Sequence, residues 1–103
     1  MGLYNYWLDK LPEPLSNSLC AICDSPIRPI NDNPGLDAFQ YCCKNCNPRV
    51  IIEISGSLLA DNLYMKLRED EAYRLQLKEA IGSYPHKRFP LTTLLLTEHF
   101  NEQ

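Results

Sequence analysis

Apolar residues recur at helical spacing through the second half of the chain and predict its main helices. Between residues 58 and 81 they return every four positions on one face: Leu59, Leu63 and Leu67, then Tyr73, Leu77 and Ile81. This spacing is typical of an amphipathic helix. The charged run over residues 68–71 interrupts the stripe, so the pattern fits one helix with a solvated middle or two helices, the second capped by Asp70. Ser57 is the predicted N-cap of the stretch, and Gly82 is its predicted end.

Shorter helices are predicted at the two ends of the chain. Residues 3–11 place apolar side chains on one helical face, and prolines that cannot continue a helix follow them. Thr92 is the predicted N-cap of a last helix over residues 93–100, and residues 83–90 before it are a predicted linker. The side chains expected to face inward are Tyr4, Trp7, Leu8 and Leu11 at one end, and Leu91, Leu94 and Leu95 at the other.

The middle of the chain has a different pattern, in which turn residues surround two short extended runs. Prolines, a glycine, asparagines and aspartates punctuate residues 16–48. Residues 39–43 and the β-branched run over residues 50–54 are predicted strands, and they are expected to pair as a two-strand ribbon. Residues 16–48 therefore have few helical or strand hydrogen bonds of their own to fix their conformation. The cysteines lie at the two ends of this segment, where they could hold it in place.

Composition and charge narrow the classes of protein to consider. A hydrophobic fraction of 45% and a charged fraction of 22% are ordinary for a globular protein and exclude wholesale disorder. The net charge of −3 argues against broad attraction to nucleic acid or to anionic membranes. The first residues lack the pattern of a secretory signal, and no stretch reaches the ~20 apolar residues of a membrane helix. We therefore expect a cytoplasmic, reducing location, where clustered cysteines indicate metal or redox chemistry rather than disulfides.

Four cysteines form two pairs with the spacing of a metal site. The pattern is C-x2-C, nineteen residues, then C-x2-C, and its members are Cys20, Cys23, Cys43 and Cys46. Two intervening residues allow both sulfurs of a pair to reach one ion, and Zn²⁺ takes four thiolates in a tetrahedron. Asp24 and Asn47 follow the pairs, and both residue types tolerate the left-handed backbone expected there. The sequence thus predicts a zinc ion in a site with no open coordination position.

The remaining cysteine leaves two alternatives open. Cys42 could replace Cys43, but that pairing would have three intervening residues instead of two, so Cys43 is preferred. In a strand the two side chains point to opposite faces, and Cys42 is then expected to be a small buried apolar residue. A redox sensor that uses Cys42 beside a labile zinc thiolate is the other alternative. His86 and His99 are far from the cysteine pairs in sequence and are not expected to be ligands.

The stretch Tyr41-Cys42-Cys43-Lys44-Asn45-Cys46, followed by Glu53-Ile54-Ser55, resembles a zinc-ribbon module found at the N-termini of many uncharacterised bacterial proteins. The resemblance covers about residues 18–60. It implies a zinc ion held by the two pairs, a strand and then helices, and it implies no particular activity. Asn47 stands where the module usually has glycine, and the stretch between Cys46 and Ser55 is a few residues longer.

These patterns predict a single α+β domain over residues 1–103. It comprises an N-terminal helix and linker over residues 1–15, a four-cysteine zinc ribbon over residues 16–56, and a part with two or three helices over residues 57–103. No phosphate-binding glycine loop, nucleophile elbow or paired His-Glu motif is present. We therefore expect a non-enzymatic protein that binds another protein, as a small interaction module, regulator or inhibitor. The rival is a nucleic-acid-binding zinc ribbon, which a basic face on the fold would favour.

Overall fold

The computed structural model describes residues 11–30, 38–60 and 62–101. The predicted N-terminal helix over residues 3–11 lies almost wholly outside them. Within the described part the chain is a mixed α+β structure, with a four-stranded sheet and four helices.

The sheet contains both predicted strands and two more. Its strands are β1 (Arg28–Ile30), β2 (Ala38–Cys43), β3 (Asn47–Ser55) and β4 (Arg88–Leu91), in that spatial order. Strands β1 and β2 are antiparallel, as are β2 and β3, whereas β3 and β4 are parallel. The expected two-strand ribbon is thus the centre of a wider sheet, which extends from the cysteine-bearing loop to the second half of the chain.

Strand β4 corrects the prediction of a linker over residues 83–90. Phe89 and Leu91 are buried and alternate with the exposed Arg88 and Pro90, which is the period of a strand with one face in the core. The run is too short to indicate a strand by itself. It becomes one because β3 offers a parallel partner, with Ile52 opposite Phe89 and Ile54 opposite Leu91.

The helices are α1 (Gly56–Leu59), α2 (Leu63–Glu69), α3 (Glu71–Gly82) and α4 (Thr93–Asn101). Asp70 separates α2 from α3 and accepts a hydrogen bond from the backbone N–H of Tyr73, as the two-helix alternative predicts. Thr92 likewise caps α4 by accepting from the N–H of Leu95. The predicted cap at Ser57 is wrong: Ser55, at the end of β3, accepts from the N–H of Leu58.

The core lies between the helices and one face of the sheet. In α3 the predicted stripe is buried. In the earlier stripe Leu67 is buried as predicted, whereas Leu59 and Leu63 are only half-buried and Leu58 and Tyr64 are buried instead. The break between α1 and α2 changes the helical phase, so a single period across both is wrong. In the last helix Leu96 is buried and Leu95 half-buried, while the side chain of Leu94 lies outside the described part. The side chains in the core include Phe39, Tyr41, Ile52, Ile54, Leu67, Leu77, Ile81, Phe89 and Leu91.

Across the described residues, no helix combines the length and the apolar character that spanning a membrane requires.

Candidate metal centre

The first cysteine pair lies in a tight turn before β1. The backbone N–H of Cys20 donates to the carbonyl of Ser25 over 2.8 Å, and the N–H of Asp24 donates to the carbonyl of Cys20 over 3.1 Å. Asp24 has a φ of 60°, the left-handed conformation expected after the second cysteine of the pair. The N–H of Ile22 also points at the Cys20 sulfur, 3.4 Å away. This turn therefore directs the sulfurs of Cys20 and Cys23 to the same side.

The second pair lies where β2 turns into β3. The strand register is regular from Ala38 to Cys42 and then shifts, so that Cys43 faces Asn47 instead of continuing the ladder. This irregularity gives the backbone room for the turn that places Cys46 beside Cys43. The predicted left-handed backbone at Asn47 is wrong, because Asn47 begins β3 with ordinary φ.

The structure brings together the four cysteines that the spacing selects. The ligand atoms of Cys20, Cys23, Cys43 and Cys46 all lie within 4.8 Å of one another. The sulfur of Cys23 is 3.4 Å from that of Cys43 and 3.5 Å from that of Cys46, and the sulfurs of Cys20 and Cys46 are 3.9 Å apart. A tetrahedral ion with bonds of about 2.3 Å separates its sulfurs by about 3.8 Å, whereas a disulfide requires about 2.05 Å. The cluster therefore fits a single bound ion and does not fit disulfide bonding.

Most of the cluster is shielded from solvent. Cys20, Cys43 and Cys46 are buried and Cys23 is half-buried. Cys42 lies outside the cluster; it is half-buried and lines a surface groove. His86 is exposed, with its ring against Tyr84, and the side chain of His99 lies outside the described part. Among the described residues, the cluster thus consists of Cys20, Cys23, Cys43 and Cys46 and includes neither Cys42 nor His86.

The close contacts among the sulfurs shift the pKa values of the cysteine thiols. Hydrogen bonds from Cys46 and Tyr41 lower the pKa of the Cys20 thiol to about 5. Burial raises the pKa of Cys43 to about 11, and the hydrogen bond to Cys20, together with burial, raises the pKa of Cys46. Opposite shifts of this kind arise where neighbouring negative charges repel, since one group ionises at the expense of the next. A bound cation would compensate the charge of four thiolates at this site.

A buried tyrosine supports the cluster from the sheet. Tyr41 is fully buried in β2, and its hydroxyl lies 3.3 Å from the Cys20 sulfur. The same hydroxyl accepts a hydrogen bond from the N–H of Ala21, also over 3.3 Å. Burial raises the pKa of Tyr41 well above its usual value, so the phenol stays protonated and can donate a hydrogen bond to a Cys20 thiolate. Tyr41 thus connects the central strand to the first cysteine turn and offers a donor to a thiolate.

Two arginines attach the first cysteine turn to the helices. Arg68 of α2 donates to the carbonyl of Ala21, and another of its nitrogens lies 2.7 Å from a carboxylate oxygen of Asp24. Arg74 of α3 lies 3.8 Å from the second carboxylate oxygen of Asp24. Asp24, whose backbone is left-handed, therefore also connects the first cysteine turn to α2 and α3 through its carboxylate.

The residue after the second pair has an equivalent role with different chemistry. The side-chain amide of Asn47 donates to the carbonyl of Ile81 over 2.8 Å and to that of Gly82 over 3.3 Å. Its oxygen accepts from the N–H of Arg49 over 3.0 Å. These carbonyls are at the end of α3, where backbone acceptors have no partner within the helix. Asn47 thus joins the second cysteine turn to the C-terminal end of that helix.

Sequence reasoning did not identify Tyr41, Arg68 or Asn47 as partners of the site. Tyr41 had one usable signal, because it precedes Cys43 by two residues in a strand and so faces the same side. The contacts of Arg68 and Asn47 depend on how the helices pack, which no local pattern shows. No protein-family model, curated protein or solved structure matches this chain.

Proposed function

We propose that Cys20, Cys23, Cys43 and Cys46 bind one Zn²⁺ ion whose role is structural. The observation that carries the proposal is the separation of the sulfurs, 3.4 to 3.9 Å for the close pairs, around a point that all four can reach. Sulfur ligands in a tetrahedral arrangement favour zinc or an iron–sulfur centre, and the two tight C-x2-C turns favour zinc. Four protein ligands also leave no position for water or substrate, which distinguishes structural from catalytic zinc.

Zinc would join two turns that belong to different parts of the sheet. Structural zinc contributes on the order of 10–16 kcal/mol to the folding of finger-like peptides. A chain of 103 residues has a modest core, so a contribution of that size would be a large share of its stability. The metal would thereby hold Asp24 and Asn47 where they contact the helices.

The same proposal includes the class of protein. We infer a non-enzymatic, cytoplasmic protein that acts by binding another protein, as an interaction module, regulator or inhibitor. One observation supports the non-enzymatic part of this inference: the cysteine site has a full set of four protein ligands, which leaves no position for a substrate.

Metal analysis of protein purified without added metal tests the zinc site, and two adjacent cysteines provide a matched pair of variants. We expect about one zinc per chain in the parent. Cys43→Ser removes a ligand and should abolish stoichiometric zinc, whereas Cys42→Ser should keep it. Chelation of the parent should lower its thermal stability, and added zinc should restore it. Equal zinc loss in both variants, or a metal-free parent with unchanged melting temperature, would contradict the proposal.

A further inference from the structure

Two surface grooves lie side by side on the face that carries the second cysteine turn. The first has a volume of about 420 Å³ and is lined mainly by apolar atoms of Pro26, Ile27, Cys42 and Pro48. The second has a volume of about 630 Å³ and runs from Asn47–Val50 to the segment after α3, residues 82–87. Pro48 lines both grooves, so they form one continuous surface.

This surface is basic, although the chain as a whole is acidic. Arg28 and Lys44 line the first groove, Arg49 and Lys87 line the second, and all four side chains are exposed. Among the residues that the structure describes, neither groove is lined by an aspartate or a glutamate. Among the described residues, none of these cations is in an ion pair; the ion pairs present involve Arg68, Arg74 and Arg88. Within the described part of the chain, the surface therefore presents unpaired positive charges beside an apolar lining, in a protein of net charge −3.

The edges of the sheet indicate how a partner would be recognised. Strands β1 and β4 are the edge strands, and Pro29 and Pro90 lie within them. Proline has no backbone N–H, so it hinders the addition of another strand. We therefore expect recognition at this surface to depend on side chains rather than on extension of the sheet.

We propose that the two grooves form a docking surface for an acidic segment of a partner protein. The proposal rests on the inferred role in protein binding, and it specifies that the bound segment of the partner is acidic. Carboxylates of the segment pair with Arg28, Lys44, Arg49 and Lys87, and an apolar side chain enters the first groove between the two prolines that line it. A nucleic acid fits this surface less well, because its affinity grows with the number of phosphates neutralised and the surface offers four Lys/Arg side chains.

Fluorescence anisotropy on the zinc-loaded full chain tests the surface. The probe is a labelled peptide of alternating glutamate and leucine, and its control is the same peptide with glutamine in place of glutamate. Lys44→Glu combined with Arg49→Glu should weaken binding of the acidic peptide by about tenfold or more, because like charges then face each other. Lys66→Glu combined with Lys78→Glu changes the net charge equally on the helices and should leave binding within about twofold.

The outcomes separate this proposal from the zinc site. Tight binding of the acidic peptide, lost only in the groove variant, supports the docking surface. Equal weakening by both double variants, or no binding by folded, zinc-loaded protein, overturns it and leaves the metal site standing. A single-stranded DNA probe that binds more tightly than the peptide and loses affinity in the groove variant also overturns it, in favour of nucleic acid. Peptide binding by protein that contains no zinc would support the surface and contradict the metal site.

Discussion

Tyr41→Phe is the most informative single perturbation of the candidate metal centre. It removes one oxygen atom from a fully buried side chain and keeps the ring that packs in the core. Two contacts disappear with that oxygen: the hydrogen bond to the Cys20 sulfur and the one accepted from the N–H of Ala21. Ala21 is itself fully buried, so its N–H loses this partner in a place that water does not easily reach.

The expected magnitude follows from these contacts. A buried donor left without a partner costs about 1–3 kcal/mol. Loss of a supporting hydrogen bond around a metal ligand typically weakens metal binding by about 10–100-fold. Since tenfold corresponds to about 1.4 kcal/mol, the two figures describe a similar loss. We therefore expect Tyr41→Phe to remain folded in excess zinc and to bind zinc about 10–100-fold more weakly.

Competition against a chromophoric chelator measures the zinc Kd, and the thiolate-to-cobalt band of the Co²⁺-substituted protein reports whether all four ligands are kept. Tyr64→Phe is the matched control. Tyr64 is also buried, but its hydroxyl donates to the carbonyl of Glu13 over 3.1 Å. This variant should lose stability and keep its zinc affinity. Equal zinc Kd values for the parent and Tyr41→Phe would refute the argument that the phenol supports the Cys20 thiolate.

Three further substitutions test other parts of the structure by urea unfolding of the zinc-loaded protein. Leu67→Asp should lower the free energy of unfolding by at least as much as truncation of a buried leucine, about 2–5 kcal/mol, whereas Leu75→Asp should be nearly neutral because Leu75 is 57% exposed. Equal unfolding curves for the two variants would mean that α2 does not face the core. Asn47→Ala should cost about 0.5–1.5 kcal/mol, because it removes the hydrogen bonds that join the second cysteine turn to the carbonyls of Ile81 and Gly82, and Asn62→Ala, whose side chain makes no cap bond, should cost less than half of that. Asp24→Asn should cost no more than about 1 kcal/mol, because the carboxylate is 48% exposed, and a cost unaffected by salt would argue against an ionic contribution.

Sequence reasoning worked where the determining contacts are local. The two C-x2-C pairs each fit in one turn, so their spacing alone selects the cysteines that the structure brings together. The caps at Asp70 and Thr92 are also local, since each accepts from an N–H three residues later. The same holds for the left-handed backbone of Asp24.

It failed where distant segments decide the outcome. The sequence at Arg88–Leu91 contains a proline and a charge, and only pairing with β3 makes it a strand. Asn47 was assigned a turn conformation, but pairing with Cys43 gives it a place in the ladder and sends its side chain to the end of α3. The break after Leu59 interrupts the predicted period, so that Leu58 and Tyr64 are buried in place of Leu59 and Leu63, because helix phase is lost wherever a helix is interrupted.

The parallel pairing of β3 with β4 has a consequence for the order in which the chain is made. All four cysteines of the cluster come before β4 in the chain, and β3 and three helices lie between them and β4. A nascent chain can therefore complete its set of thiols, and form the β2–β3 hairpin from local contacts, long before β4 leaves the ribosome. During that interval the edge of β3 that carries Ile52 and Ile54 is unpaired. An open apolar edge recruits other strands. We therefore expect that pairing of β4 with β3, which closes this edge, limits aggregation of the newborn chain.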